Sequence, residues 1–83
     1  MHVNVLYFAS LREALGMAAE RLELPAGVES VDAARALLVA RGGEWAALAR
    51  PTVRSAVNQS LAEGGMRLSE GDELAFFPPV TGG

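Results

Sequence analysis

Glu73-Leu74-Ala75-Phe76-Phe77-Pro78-Pro79-Val80-Thr81-Gly82-Gly83 is the stretch that decides how the rest of the chain is read. Its first five residues have the composition of a β-strand. Side chains alternate across a strand, so Leu74 and Phe76 take one face and Glu73, Ala75 and Phe77 the other. Pro78-Pro79 cannot continue it, because proline fixes φ and has no N–H to give a ladder. The residues from Pro78 to Gly83 therefore leave as a stiffened arm that reaches at most roughly 20 Å. Gly82 and Gly83 lack Cβ atoms, which makes the tip as narrow as a polypeptide can be. These residues alone admit two readings: an arm made to enter another protein's site, or a frayed tail.

The first strand is the counterpart of the last. In His2–Phe8, Val3, Val5 and Tyr7 share one face, and Asn4, Leu6 and Phe8 share the other. In both strands a polar residue (Asn4, Glu73) marks the solvated face, yet a large aromatic (Phe8, Phe77) shares it. If the two strands are neighbours, Leu6, Phe8, Ala75 and Phe77 gather on one uncovered face, with Leu61 available to join them. A contiguous apolar patch on a small domain marks a protein interface. The simpler alternative is that aromatic residues suit strands wherever they point.

Between these strands the spacing predicts two helices. Ser10-Leu11-Arg12-Glu13 has capping-box spacing, Leu11, Ala14 and Leu15 form a short apolar stripe, and Gly16 is a C-terminal stop. Glu20–Leu24 alternates like a half-buried strand and ends at Pro25-Ala26-Gly27. Ser30 caps a longer helix to about Arg41, with Asp32 in the first turn and Val31, Ala34, Leu37 and Leu38 facing inward. Residues 44–50 read as one or two helical turns anchored by Trp45 and Leu48 and stopped by Pro51. Val53–Val57 reads as a strand, Asn58-Gln59 as a turn and Leu61-Ala62 as a short strand. Leu68 points inward ahead of a tight turn at Ser69-Glu70-Gly71-Asp72. The order is coarsely β-α-β-α-β-β, an α+β fold with one layer of sheet and one of helix. A domain over residues 1–77 and a tail over 78–83 are expected.

Composition narrows the function. The chain has 83 residues, enough for one small domain, and 51% are hydrophobic, so a core forms without disulfides. There is no cysteine, hence no thiolate nucleophile or thiolate metal ligand, and a cytoplasmic location is expected. The net charge of −3 with scattered acids shows no basic face for nucleic acid, and no segment reads as a signal peptide or membrane span. His2 reads as a frayed terminal imidazole, and no metal-ligand spacing or phosphate-binding glycine loop is present. All seven basic residues are arginine. If the chain takes part in catalysis, its reactive atom is the carboxylate of Gly83.

Four segments together carry a family resemblance. They are Tyr7-Phe8-Ala9-Ser10-Leu11-Arg12-Glu13, Ala56-Val57-Asn58-Gln59-Ser60-Leu61, Glu70-Gly71-Asp72-Glu73-Leu74-Ala75-Phe76-Phe77, and Pro78-Pro79-Val80-Thr81-Gly82-Gly83. The chain resembles the small subunits of molybdopterin synthase, ubiquitin-like sulfur carriers with the β-grasp fold: a mixed sheet covered by one main helix. A terminal Gly-Gly alone is shared with ubiquitin-like modifiers and the thiamine sulfur carrier; the run from Gly71 through Pro-Pro-Val-Thr to Gly83 is more specific. The resemblance implies a carrier cycle. An E1-like adenylating enzyme, using ATP and Mg, converts the Gly83 carboxylate to an acyl-adenylate, and a persulfide enzyme supplies the sulfur that makes a thiocarboxylate. The tail then enters the large synthase subunit and gives its sulfur to cyclic pyranopterin monophosphate. It also implies a heterotetramer, a docking surface at Phe8, Leu61 and Phe77 continued by Pro78, Pro79, Val80 and Thr81, and a reactive end at Gly82-Gly83. No cofactor or metal bound by this chain itself is implied. The alternatives are a ubiquitin-like protein modifier, a thiamine-type sulfur carrier, and an interaction module with an inert tail.

Overall fold

Val3, Val5 and Tyr7 on the first strand, and Leu74 and Phe76 on the last, are buried on one side of a single five-stranded sheet. The computed structural model describes residues 1–79; the expectations placed on Val80, Thr81, Gly82 and Gly83 lie outside the described residues. Strand β1 (His2–Tyr7) pairs antiparallel with β2 (Ala19–Glu23) and parallel with β5 (Glu73–Phe77). On its other edge β5 pairs antiparallel with β3 (Arg54–Val57), which pairs antiparallel with β4 (Ser60–Leu61). The order is β2-β1-β5-β3-β4, so the first and last strands are central neighbours. This is the mixed sheet of the ubiquitin-like β-grasp fold, and the short strand expected at Leu61-Ala62 is β4, one residue earlier at Ser60–Leu61.

Helix α2 (Val31–Val39) covers the inner face of the sheet through Val31, Ala34 and Leu38, which are buried with the strand residues in one core. Its cap is the expected one: Ser30 Oγ accepts from the Ala33 N–H at 3.1 Å, and Asp32 lies in the first turn. The helix stops two residues before Arg41, and Leu37 is half-buried rather than central. Residues Gly43–Ala49 form a 3₁₀ helix that buries Leu48 and sets Trp45 edge-on against Tyr7, with ring centroids 5.5 Å apart. Tyr7 in turn stacks on Phe76 at 6.4 Å. No helix among the described residues is long and apolar enough to cross a membrane.

Helix α1 (Ala9–Leu15) departs from expectation. The capping box is not formed: Phe8 occupies the N-cap, no side chain caps the helix, and Ser10 already lies inside it. The Phe8 carbonyl accepts from both Leu11 N–H (3.1 Å) and Arg12 N–H (3.4 Å), so the turn closes through backbone as soon as β1 ends. Ala9 takes the left-handed φ of 51° that this abrupt entry needs. With the helix so short, only Leu11 is buried; Ala14 is exposed. Gly16 ends it as expected, left-handed at φ 74°, its N–H bonded to the Arg12 carbonyl.

Candidate functional site

The register brings the expected face together. Leu6 sits opposite Ala75, Ala75 opposite Ala56, and Ala56 opposite Leu61, so one apolar row crosses four strands on the side away from α2. Ala19, paired with Leu6, extends that row to β2. Beside it, towards the end of β5, Phe77 lies opposite Arg54, and the Phe8 N–H donates to the Phe76 carbonyl at 3.2 Å. Ala56 and Ala75 are buried by their neighbours, while Phe8 (44%) and Leu61 (76%) keep much of their area exposed. The centre of this face is thus small and flat, and the bulk stands at its rim. Phe77 and Pro78 are half-buried and Pro79 is exposed. A cleft of ≈ 300 Å³ runs between Arg54, Leu61, Phe77 and Pro79, so the tail leaves the sheet beside the apolar row. Of the residues expected to form the site, the structure joins Leu61, Phe77 and Pro79 around one cleft; Phe8, exposed at the end of β1, does not line it. Val80, Thr81, Gly82 and Gly83 lie outside the described residues.

The turns hold this face rigid. Asn58 and Gln59, both at positive φ, make the tight β3–β4 connection. The Asn58 side chain donates to Asp72 at 3.0 Å and accepts from the Glu73 N–H at 3.0 Å, fixing the hairpin to the start of β5. Asp72 also accepts from the Ser69 N–H at 2.8 Å. Gly71, left-handed at φ 79°, makes that turn possible, and its N–H donates to the His2 carbonyl. The acidic turn is therefore a structural clasp. His2 is not a frayed imidazole: its backbone N–H donates to Glu70 at 2.9 Å and its ring Nδ1 also meets the Glu70 carboxylate, which these contacts, the backbone one first, hold below the usual carboxylate range.

On the opposite side of the sheet Tyr7, Glu20 and Arg41 form a polar network. Tyr7 donates to Glu20 at 2.8 Å, and Arg41 binds both Glu20 oxygens at 2.8 Å while its guanidinium lies 4.4 Å from the Trp45 ring centre. The Arg41 hydrogen bonds lower the Glu20 pKa despite partial burial. Burial first, and then the hydrogen bond to Glu20, push the Tyr7 hydroxyl far above its ordinary value, so it stays protonated as a donor. This network fastens β1, β2 and the exit of α2; it lies away from the tail. Sequence reasoning gave Arg54 and Arg35 no role. The period-two signal for Arg54 was present, since it shares the parity of Ala56, whereas Arg35 is placed only by the docking of α2.

The ThiS family model matches residues 5–83. The molybdopterin synthase sulfur carrier subunit of Escherichia coli (strain K12) is 44% identical over 82 residues, 98% of this chain and 99% of the relative. That of Haemophilus influenzae is 43% identical over 82 residues, with the same coverage. Among solved structures, SAMP1 from Haloferax volcanii superposes with a TM-score of 0.79 at 29% identity over 100% of both chains. A second structure from that organism, at 28% identity over 95% of this chain and 98% of the other, with a TM-score of 0.76, is described as small archaeal modifier protein 1.

Proposed function

From the premise that the chain belongs to the ThiS family, we propose that it is the sulfur carrier subunit of a molybdopterin synthase, with Gly83 as the atom-bearing residue. The observation that carries this reading is the end-to-end similarity to sulfur carrier subunits, joined to a tail that leaves the sheet beside an apolar row whose rim, at Leu61, is exposed. The curated relatives' names favour this over a thiamine-type carrier. The chemistry needs a carboxylate at the end of a thin, extended segment. Attack of the Gly83 carboxylate on ATP gives an acyl-adenylate and pyrophosphate in an E1-like partner with Mg. A persulfide sulfur displaces AMP, and a second thiol releases the donor, leaving a thiocarboxylate. In the large synthase subunit that sulfur passes to cyclic pyranopterin monophosphate and the carboxylate is restored.

The body serves as the handle for this tail. Phe8, Leu61 and Phe77 present the side chains that a partner covers; fully burying one such side chain contributes about 1.5–3 kcal/mol. Both the adenylating enzyme and the large subunit would use this face, so the carrier must leave one before reaching the other. A cytoplasmic place of action and a heterotetramer with the large subunit belong to the same reading. The experiment is reconstitution of the synthase with thiocarboxylated carrier, large subunit and cyclic pyranopterin monophosphate. Dithiolene product with the intact tail, and none after deletion of Gly83 or addition of a residue beyond it, is expected. Equal product from the shortened carrier would overturn the tail mechanism.

The similarity to small archaeal modifier protein 1 supports a second reading, in which Gly83 becomes amide-linked to lysines of other proteins. Carrier attached covalently to larger proteins in cells lysed under denaturing conditions would favour it.

A further inference from the structure

Next to the tail cleft lies a second one of ≈ 480 Å³, lined on one side by Arg54, Leu61 and Glu63 and on the other by Arg35. Leu61 and Arg54 border both clefts, so the second adjoins the apolar face and leads from it to Arg35 on α2. Arg54 is opposite Phe77 in the β3–β5 register and is exposed. Among the described residues it has no ion-pair partner, a state it shares with Arg12 and Arg50, whereas Arg21, Arg35, Arg41 and Arg67 each face a carboxylate. Arg35 is held but incompletely answered. Its guanidinium carbon lies 5.6 Å from the Phe76 ring centre, and the one carboxylate it pairs with among the described residues, the largely exposed Asp32, is 3.6 Å away. Its Nε–H is buried and finds no acceptor among the described residues.

We propose that Arg54, on the docking face, and Arg35, on α2 across the adjoining cleft, form a carboxylate subsite at the border of that face, taking an aspartate or glutamate side chain of the protein that covers Leu61 and Phe77. This rests on the carrier reading and names the charge chemistry its partner must present. Guanidinium forks match a carboxylate in planar, bidentate fashion. The occupant is a protein side chain rather than a free anion because Leu61 and Arg54 line both clefts, so a chain seated on Leu61 and Phe77 passes directly beside the cleft that holds the two arginines. Asp32 and Glu63 also border the region, so a diffuse anion gains little there; a carboxylate must be delivered to the guanidiniums by a chain already seated on Leu61 and Phe77. In a chain of net charge −3, such a cationic point sets orientation on an otherwise apolar face.

The test is calorimetric binding of the intact carrier to the large synthase subunit of the same organism at low and physiological ionic strength. Arg54→Gln should weaken binding on the order of tenfold and flatten its salt dependence, with partial recovery in Arg54→Lys. Arg67→Gln, which removes the same charge from a pair with Glu29 elsewhere, should bind like the wild type. Arg35→Gln should act in the same direction as Arg54→Gln; because it also touches Phe76, its melting temperature is read alongside, and the exposed Arg54 keeps the test independent of folding. Unchanged affinity and salt dependence in Arg54→Gln, with Phe77→Ala still impaired, overturns the subsite and leaves the carrier reading standing. Absence of binding by the wild type overturns the partner assignment, and the subsite with it.

Discussion

Glu20 shows how single residues divide between fold and function here. Its pKa is lowered chiefly by the two hydrogen bonds from Arg41, with the Tyr7 hydroxyl adding to them. A carboxylate whose folded-state pKa is depressed contributes stability that is fully present above its unfolded value of 4.5. That contribution is lost as pH falls through the lower folded value. Melting curves between neutral pH and pH 3 should therefore show a steeper acid loss for the wild type than for Glu20→Gln; identical slopes would contradict the assigned network. Tyr7→Phe should cost about 1–3 kcal/mol at neutral pH, because it leaves part of that carboxylate unanswered. Phe77 belongs to the other class. Half-buried on the outer face, it should lose partner binding on truncation to alanine with a smaller effect on melting than Phe76→Ala, which empties the core. A large melting loss with intact binding would place Phe77 in the core instead. The sequence disclosed the faces of both phenylalanines through period-two alternation. It could not disclose Tyr7–Glu20–Arg41, since that contact depends on where α2 ends against β2.

At the scale of elements, the two predicted helix starts had opposite fates for a physical reason. Ser30 follows a loop, adopts extended backbone and has room to turn its hydroxyl onto the Ala33 N–H. Ser10 follows β1 with no loop between, and the Phe8 carbonyl closes the first turn before serine can act. Ser30→Ala should accordingly lower stability by about 1 kcal/mol, while Ser10→Ala should stay within about 0.5 kcal/mol of the wild type in denaturant titrations. The reverse ranking would show that α1 is capped through its serine after all. The strand segments were legible to within a residue because burial on one face imposes a strict alternation, as in Val3, Val5 and Tyr7. The sheet's hydrogen-bonded order was not legible by alternation, since period-two patterning identifies faces and leaves neighbours open.

For the whole molecule, the parallel pairing of β1 with β5 is what links fold to function. It puts the core face of both strands under α2 and their second face outward, and it sets Leu6 and Ala75 in the row that ends at Leu61. The tail departs from one central strand, beside Arg54 and Leu61, so docking and delivery are geometrically coupled. The candidate face was legible in the sequence once that pairing was assumed; the two-arginine cleft was not, because it joins α2 to the β3–β4 hairpin through packing alone. The central claim is that Gly83 carries sulfur. The most direct measurement is the intact mass of the protein after incubation with the E1-like adenylating enzyme, ATP, Mg and a persulfide donor. A gain equal to replacement of one oxygen by sulfur, localised to the C-terminal peptide, is the predicted result. An unchanged mass, under conditions where the same enzyme loads a known carrier, would contradict the account.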